Sequence, residues 1–260
     1  MLQSNSDPRS ATNVPSNQIS AAEWAARVDL AAAYRLFAYY GWDDLVFTHI
    51  SCRVPGEQGH FLINPYGWLF EEITASSLIK VDYYGKQVQD SPHNVNPAGF
   101  TIHSAIHSAR PDVFCVMHTH SLNGCAVAAQ RDGVRALSQQ SLFVLSSLAT
   151  HDYEGVALND EEKPRLQQDL GDNTFMLLRN HGLLTVGQSV ADAFLAMYIF
   201  EAACAIQVRA LAGGPLSPIP NTVVDAIAAQ ATQVTQGLGG QLAWPALLRR
   251  LNRLDPSFKE

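Results

Sequence analysis

Charge is scarce in this chain. Asp, Glu, Lys and Arg make up 16% of its 260 residues, against 47% hydrophobic. The basic share is the smaller one, 17 Lys and Arg against 24 Asp and Glu, and no basic run of useful length occurs. A formal net charge of -7 without clustered cations argues against nucleic acid as a main partner, because phosphate backbones demand such clusters. A small anion held by one local Arg stays open. Cysteine is sparse too: Cys52, Cys115, Cys125 and Cys204 form no CxxC pair and no tight framework, which suits reduced thiols rather than a disulfide scaffold. The N-terminus lacks an apolar signal core, and no apolar run reads as a bilayer span. These absences point to a soluble, cytoplasmic protein with no membrane partner. Internal repeats and a regular βαβ rhythm are missing as well. The GLGG near the C-terminus lacks the strand-turn-helix setting of a phosphate loop.

What is present is a mixed series of short elements. Residues 1–19, rich in Ser, Asn and Pro, read as a disordered arm. Ser20 with Glu23 three places on has capping-box spacing, and the helical pattern that follows stops at Gly41. Strands are expected over 45–54 and 60–65, joined by the turn-forming PGEQG, and a helical turn leads into a strand before Gly85. A helix from Pro97 to Ala109 would place His103 and His107 one turn apart on one face. Residues 113–120 read as a buried strand followed by a helix. A polar helix runs from Asn159 to Gly171, and 174–187 reads as two strands around Asn180-His181-Gly182. Ser189 and Asp192 cap a long apolar helix that ends at Gly213-Gly214. Residues 20–214 thus form one domain, and 215–260 an extension that packs on it or on a neighbouring subunit.

Histidines carry the chemistry. His118 and His120 are two apart in a strand, so their side chains leave the same face, with Cβ atoms about 6–7 Å apart. Two imidazoles at that spacing can meet one metal at about 2.0–2.1 Å per bond. Cys115 falls on the opposite face. His181, at a corner where Gly182 permits an unusual turn and close approach, is the best third ligand. Three neutral imidazoles leave an open coordination position, as a catalytic site requires. Taken alone the HxH spacing is short and common, and a polar strand end would show it too.

The strings RPDVFCVMHTHS and LLRNHGLLTVG, in order with FTHISCRVP, FLINPYGWLFEEITASSL, AGFTIHSAIHSARPD, HDYEG and AIQVRALAGG, resemble the class II aldolase/adducin family over nearly all of residues 21–214. NPAGF, HDYEG and AIQVRALAGG look like its adducin-like bacterial branch. The resemblance implies an α/β fold of three α/β/α layers around a mostly antiparallel sheet, and a cyclic homotetramer with sites near subunit interfaces. It implies a divalent metal, zinc in the aldolases, on His118, His120 and His181. Iron, manganese or cobalt also suit three imidazoles.

Departures from the pattern matter as much. The sugar-phosphate aldolases carry a Ser-Ser-Glu triplet ahead of the helix histidine that corresponds to His103; here those places are Pro97, Ala98 and Gly99, so the acid/base Glu is missing. Of the phosphate-holding turns only Ser51 and Gly67 survive, which speaks against a sugar phosphate. Tyr153 and Glu154 in HDYEG, with His103, become the candidates for proton transfer. Ser51, Arg53 and Gly67 become the candidates for substrate binding, Arg53 through a bidentate carboxylate pair. The leading expectation is a metal-dependent carbon–carbon lyase, of aldolase or decarboxylase type, acting on a small non-phosphorylated hydroxy or keto acid through an enolate. Two alternatives are a non-heme iron oxygenase on the same histidines and an adducin-like binding or scaffold protein without catalysis.

Overall fold

The computed structural model describes residues 19–260 apart from 225, 228, 229, 231, 232 and 234–236. The expected disordered arm therefore lies outside the described residues, except for its last one. Seven strands form one sheet, in the order β3-β2-β1-β4-β7-β6-β5. They are β1 (Ile50–Arg53), β2 (His60–Ile63), β3 (Ile79–Asp82), β4 (Cys115–Thr119), β5 (Leu148–His151), β6 (Phe175–Leu178) and β7 (Gly182–Gly187). Five of the six pairings are antiparallel and only β5–β6 is parallel, so the sheet is mostly antiparallel as expected.

Helices cover both faces. On one lie α1 (Ala21–Tyr40), α3 (Leu122–Ala128), α4 (Gln139–Leu145) and α6 (Val190–Ala212); on the other lie α2 (Pro97–Ala109) and α5 (Lys163–Leu170). Alternation along β4 sends Cys115 and Met117 into the first core and Val116 into the second. His118 follows Val116 and so belongs to the α2 face. The capping signals act as expected: Ser20 accepts from Glu23 N–H, Ser189 from Asp192 N–H, and Gly41 closes α1 at a φ of 69°.

Three details differ from the sequence reading. The strand expected over 45–54 starts only at Ile50; Leu45 takes a φ of 50°, which no extended strand allows. Residues 139–151, to which the sequence reading assigns no element, form α4 and β5, and β5 finds its place by pairing with β6. By length and composition α6 could cross a bilayer, with 23 residues and a mean hydropathy of 1.5, although no such run was read in the sequence. Here it is a core helix: Phe194, Met197, Phe200 and Cys204 are buried, and it packs on β7 and against α1, α3 and α4. The chain end returns to α1, where the helix Trp244–Leu254 gives a Trp244 Nε1–H to Asp29 at 2.9 Å and Phe258 is fully buried.

Candidate metal centre

His118 is the second-last residue of β4, and His120 follows the strand's end. His181 stands in the tight connection between β6 and β7. Their rings approach to 4.7–4.8 Å between centroids, and one ring nitrogen from each lies within 4.8 Å of the others. The sharp turn has a different origin from the one expected. Asn180, not Gly182, takes the left-handed φ of 54°. Gly182 serves close approach instead: a Cβ there would sit 2.1 Å from the Thr119 carbonyl oxygen, so only glycine lets the two ligand segments touch.

Hydrogen-bond partners fix which nitrogens are available. His118 Nδ1 lies 2.9 Å from the Leu183 carbonyl oxygen, and His120 Nδ1 lies 2.9 Å from Asp44 Oδ2. Both partners only accept, so both Nδ1 atoms must carry the proton. Each neutral ring then has its lone pair on Nε2, and the two Nε2 atoms face each other at 2.9 Å. Two lone pairs at that distance repel unless a cation or a shared proton lies between them. Burial, reinforced by the neighbouring imidazoles, holds His118 well below the usual histidine range and His181 at about 4, so both are neutral at pH 7. The donor set therefore fits a divalent metal: three imidazoles converging, with coordination positions left for a ligand.

Outer contacts hold this set in place. Asp44, absent from the sequence-based candidates, orients His120. On the opposite face of the β4 end, Thr119 and Ser121 donate to the two oxygens of Glu201 on α6 at 2.8 and 2.6 Å. Burial pushes the Glu201 carboxyl above the usual range. Among the described residues the two non-glycine positions with left-handed φ, Leu45 and Asn180, are the neighbours of Asp44 and His181. Asp44→Asn leaves His120 without its carboxylate partner, and metal affinity should fall about 10–100-fold in chelator competition; unchanged affinity would remove Asp44 from the centre.

The remaining sequence candidates divide. Tyr153 stands 6.3 Å from His181, ring to ring, and is half exposed. Glu154 turns away and pairs with Arg165, whose Nε donates at 2.5 Å. His103 and His107 are fully buried on α2, both bonded to Ser51 Oγ, at 2.5 and 2.8 Å. One hydroxyl has one proton, so at most one of these rings accepts from it and at least one donates to it. Arg53 is occupied elsewhere, with Tyr83 and the carbonyls of His107, Arg110 and Val113, the last at 2.6 Å. Gly67 is an exposed turn residue with a φ of 89°. A residue missed in the sequence, His49, completes the picture. It bonds His103 Nε2 through Nδ1 at 3.1 Å and stacks on His118 at 5.5 Å.

Fold and histidines together describe a three-layer α/β/α protein with a candidate metal centre at one end of its sheet. The sequence matches the model of the Class II Aldolase and Adducin N-terminal domain over residues 28–208, and the chain belongs to that family. It is 59% identical over 248 residues to a Pseudomonas aeruginosa protein named for the class 2 aldolases, covering 94% of this chain and 95% of that one. Alpha-adducin of Rattus norvegicus is 42% identical over 243 residues, 88% of this chain but 33% of adducin. Among solved structures, an aldolase II superfamily protein from Pseudomonas syringae superposes with a TM-score of 0.90 at 46% identity, covering 94% and 98% of the two chains. An L-fuculose 1-phosphate aldolase from Glaciozyma antarctica does so at 0.80 with 28% identity, covering 92% and 93%.

Proposed function

We propose that this protein is a cytoplasmic metal-dependent carbon–carbon lyase, of aldolase or decarboxylase type, acting on a small hydroxy or keto acid that carries no phosphate. The observation that carries this reading is the pair of Nε2 lone pairs aimed at one another, with His181 beside them. His118, His120 and His181 would hold the metal, with zinc first. A divalent metal there would polarise a substrate oxygen and stabilise the enolate shared by retro-aldol cleavage and decarboxylation. Tyr153, its ring 6.3 Å from that of His181, would move a proton at its hydroxyl, since Glu154 is engaged with Arg165. Engagement of the Ser51 hydroxyl by two imidazoles, at 2.5 and 2.8 Å, supports a substrate without phosphate, because that hydroxyl is already occupied. Exposed Leu45, Phe47 and Leu122 in the segments around the site support a homotetramer with sites near subunit interfaces.

The 42% identity to an adducin and the glycine at position 99 favour a second reading, a binding protein without catalysis. One experiment separates the readings: metal analysis of purified protein, then a panel of hydroxy and keto acids followed for carbonyl product, carbon dioxide and oxygen uptake. Stoichiometric metal with cleavage and no oxygen uptake is expected. Oxygen uptake with turnover would make it an iron oxygenase, and metal-replete protein without turnover a binding protein.

A further inference from the structure

His49 takes a place that the rest of the fold keeps open for it. A Cβ built on Gly99 would lie 2.2 Å from His49 Cδ2 and 2.5 Å from its Cγ and Nε2, so no side chain fits at position 99 while this ring is present. The ring is pinned from several sides. Its carbonyl oxygen accepts from His118 N–H at 3.3 Å, its face stacks on the His118 ring, and its Nδ1 is bonded to His103. His103 in turn is held by Ser51, which is held by His107. The last nitrogen, His49 Nε2, has no hydrogen-bond partner among the described residues, although the residue is only 3% exposed. Every other ring nitrogen in this run has a partner except His107 Nδ1, at the far end.

A pinned imidazole with one nitrogen left over, lying against a metal-ligand ring, is built to meet something that enters the centre. We infer that His49 contacts the ligand of the metal centre, hydrogen-bonding an oxygen of the bound acid through Nε2, and that His103, Ser51 and Gly99 are positioning residues for it. This rests on the metal-dependent reading above. His49 needs no change of charge for this role. A neutral ring offers a lone pair or an N–H on Nε2, according to the tautomer that His103 imposes through Nδ1.

The test uses acetohydroxamate, an oxygen chelator of divalent metals, titrated calorimetrically into zinc-loaded protein. His49→Phe keeps the stacked ring and all three ligands but removes both nitrogens. It should bind one zinc as the parent does and lose at least about tenfold in acetohydroxamate affinity, the scale of one lost hydrogen bond to a charged group. His49→Gln, with a polar end of similar reach, should recover part of that loss. Gly99→Ala tests the geometry without any metal: its Tm should fall by several degrees, and His49→Ala added to it should restore most of that fall. Equal acetohydroxamate affinity in parent and His49→Phe, or none in the zinc-loaded parent, overturns the assignment. A Gly99→Ala Tm equal to the parent's does so as well. A parent that takes up no zinc defeats the lyase reading itself, which the zinc titration reports separately.

Discussion

Alanine at His118, His120 or His181 is expected to lower zinc affinity by roughly two orders of magnitude per site, and the triple variant to bind no stoichiometric metal. The magnitude follows from zinc sites of four ligands, where about 10–16 kcal/mol is shared among the donors, or roughly 3 kcal/mol each. A second signature separates lost ligation from damaged folding. In metal-free protein the two Nε2 lone pairs face each other at 2.9 Å, and removing one of them relieves that repulsion. His120→Ala should therefore leave the Tm in EDTA unchanged or raised, while abolishing the rise in Tm that zinc gives the parent. That rise corresponds to about 2.7 kcal/mol at a hundredfold excess of zinc over Kd. His118 is fully buried, so its alanine variant opens a cavity and is the poorer test. A parent protein whose Tm is the same in zinc and in EDTA would contradict the metal centre directly.

Much of this centre is legible in the sequence. Period-two spacing put His118 and His120 on one face, and the glycine after His181 signalled a tight approach of two segments. Capping residues placed α1 and α6, because a cap is a local interaction between residues three apart. Long-range pairing was not legible. Asp44 sits in a loop with no motif of its own and reaches His120 across 76 positions of chain. Arg53 reads as a substrate-binding cation for a carboxylate, yet Tyr83 and three backbone carbonyls already surround it. His49 lies in the turn whose phosphate-holding pattern is lost apart from Ser51, and Gly99 reads only as a missing acid. Their relation is steric and belongs to the folded state alone: the ring of one fills the side-chain space of the other. Two departures that looked independent in sequence are one structural fact.

The same buried histidines should make the metal-free protein acid-labile well above the pH at which carboxylates titrate. His49, His103 and His107 are sealed under α2, and burial comes first in holding each below the usual histidine range, His107 at about 3. In the unfolded chain these rings take up protons near 6.5. Between those limits the unfolded state binds more protons than the folded one, so stability is complete above pH 6.5 and falls as the pH drops toward 3. Each pH unit of difference is about 1.4 kcal/mol per histidine, so even half of the His107 displacement amounts to about 2 kcal/mol. His49 and His103 are displaced in the same direction and add to it, against the roughly 5–15 kcal/mol that holds a domain folded. Urea unfolding in EDTA at pH 7.5, 6.0, 5.0 and 4.5 should therefore show a steep loss that begins below 6.5. Zinc should move the loss to lower pH, since metal and protons compete for the nitrogens of His118 and His181. Stability that stays level from pH 7.5 to 4.5 would mean that the α2 histidines are solvated or already charged in the folded protein, and the sealed Ser51–His103–His49 run would have to be given up.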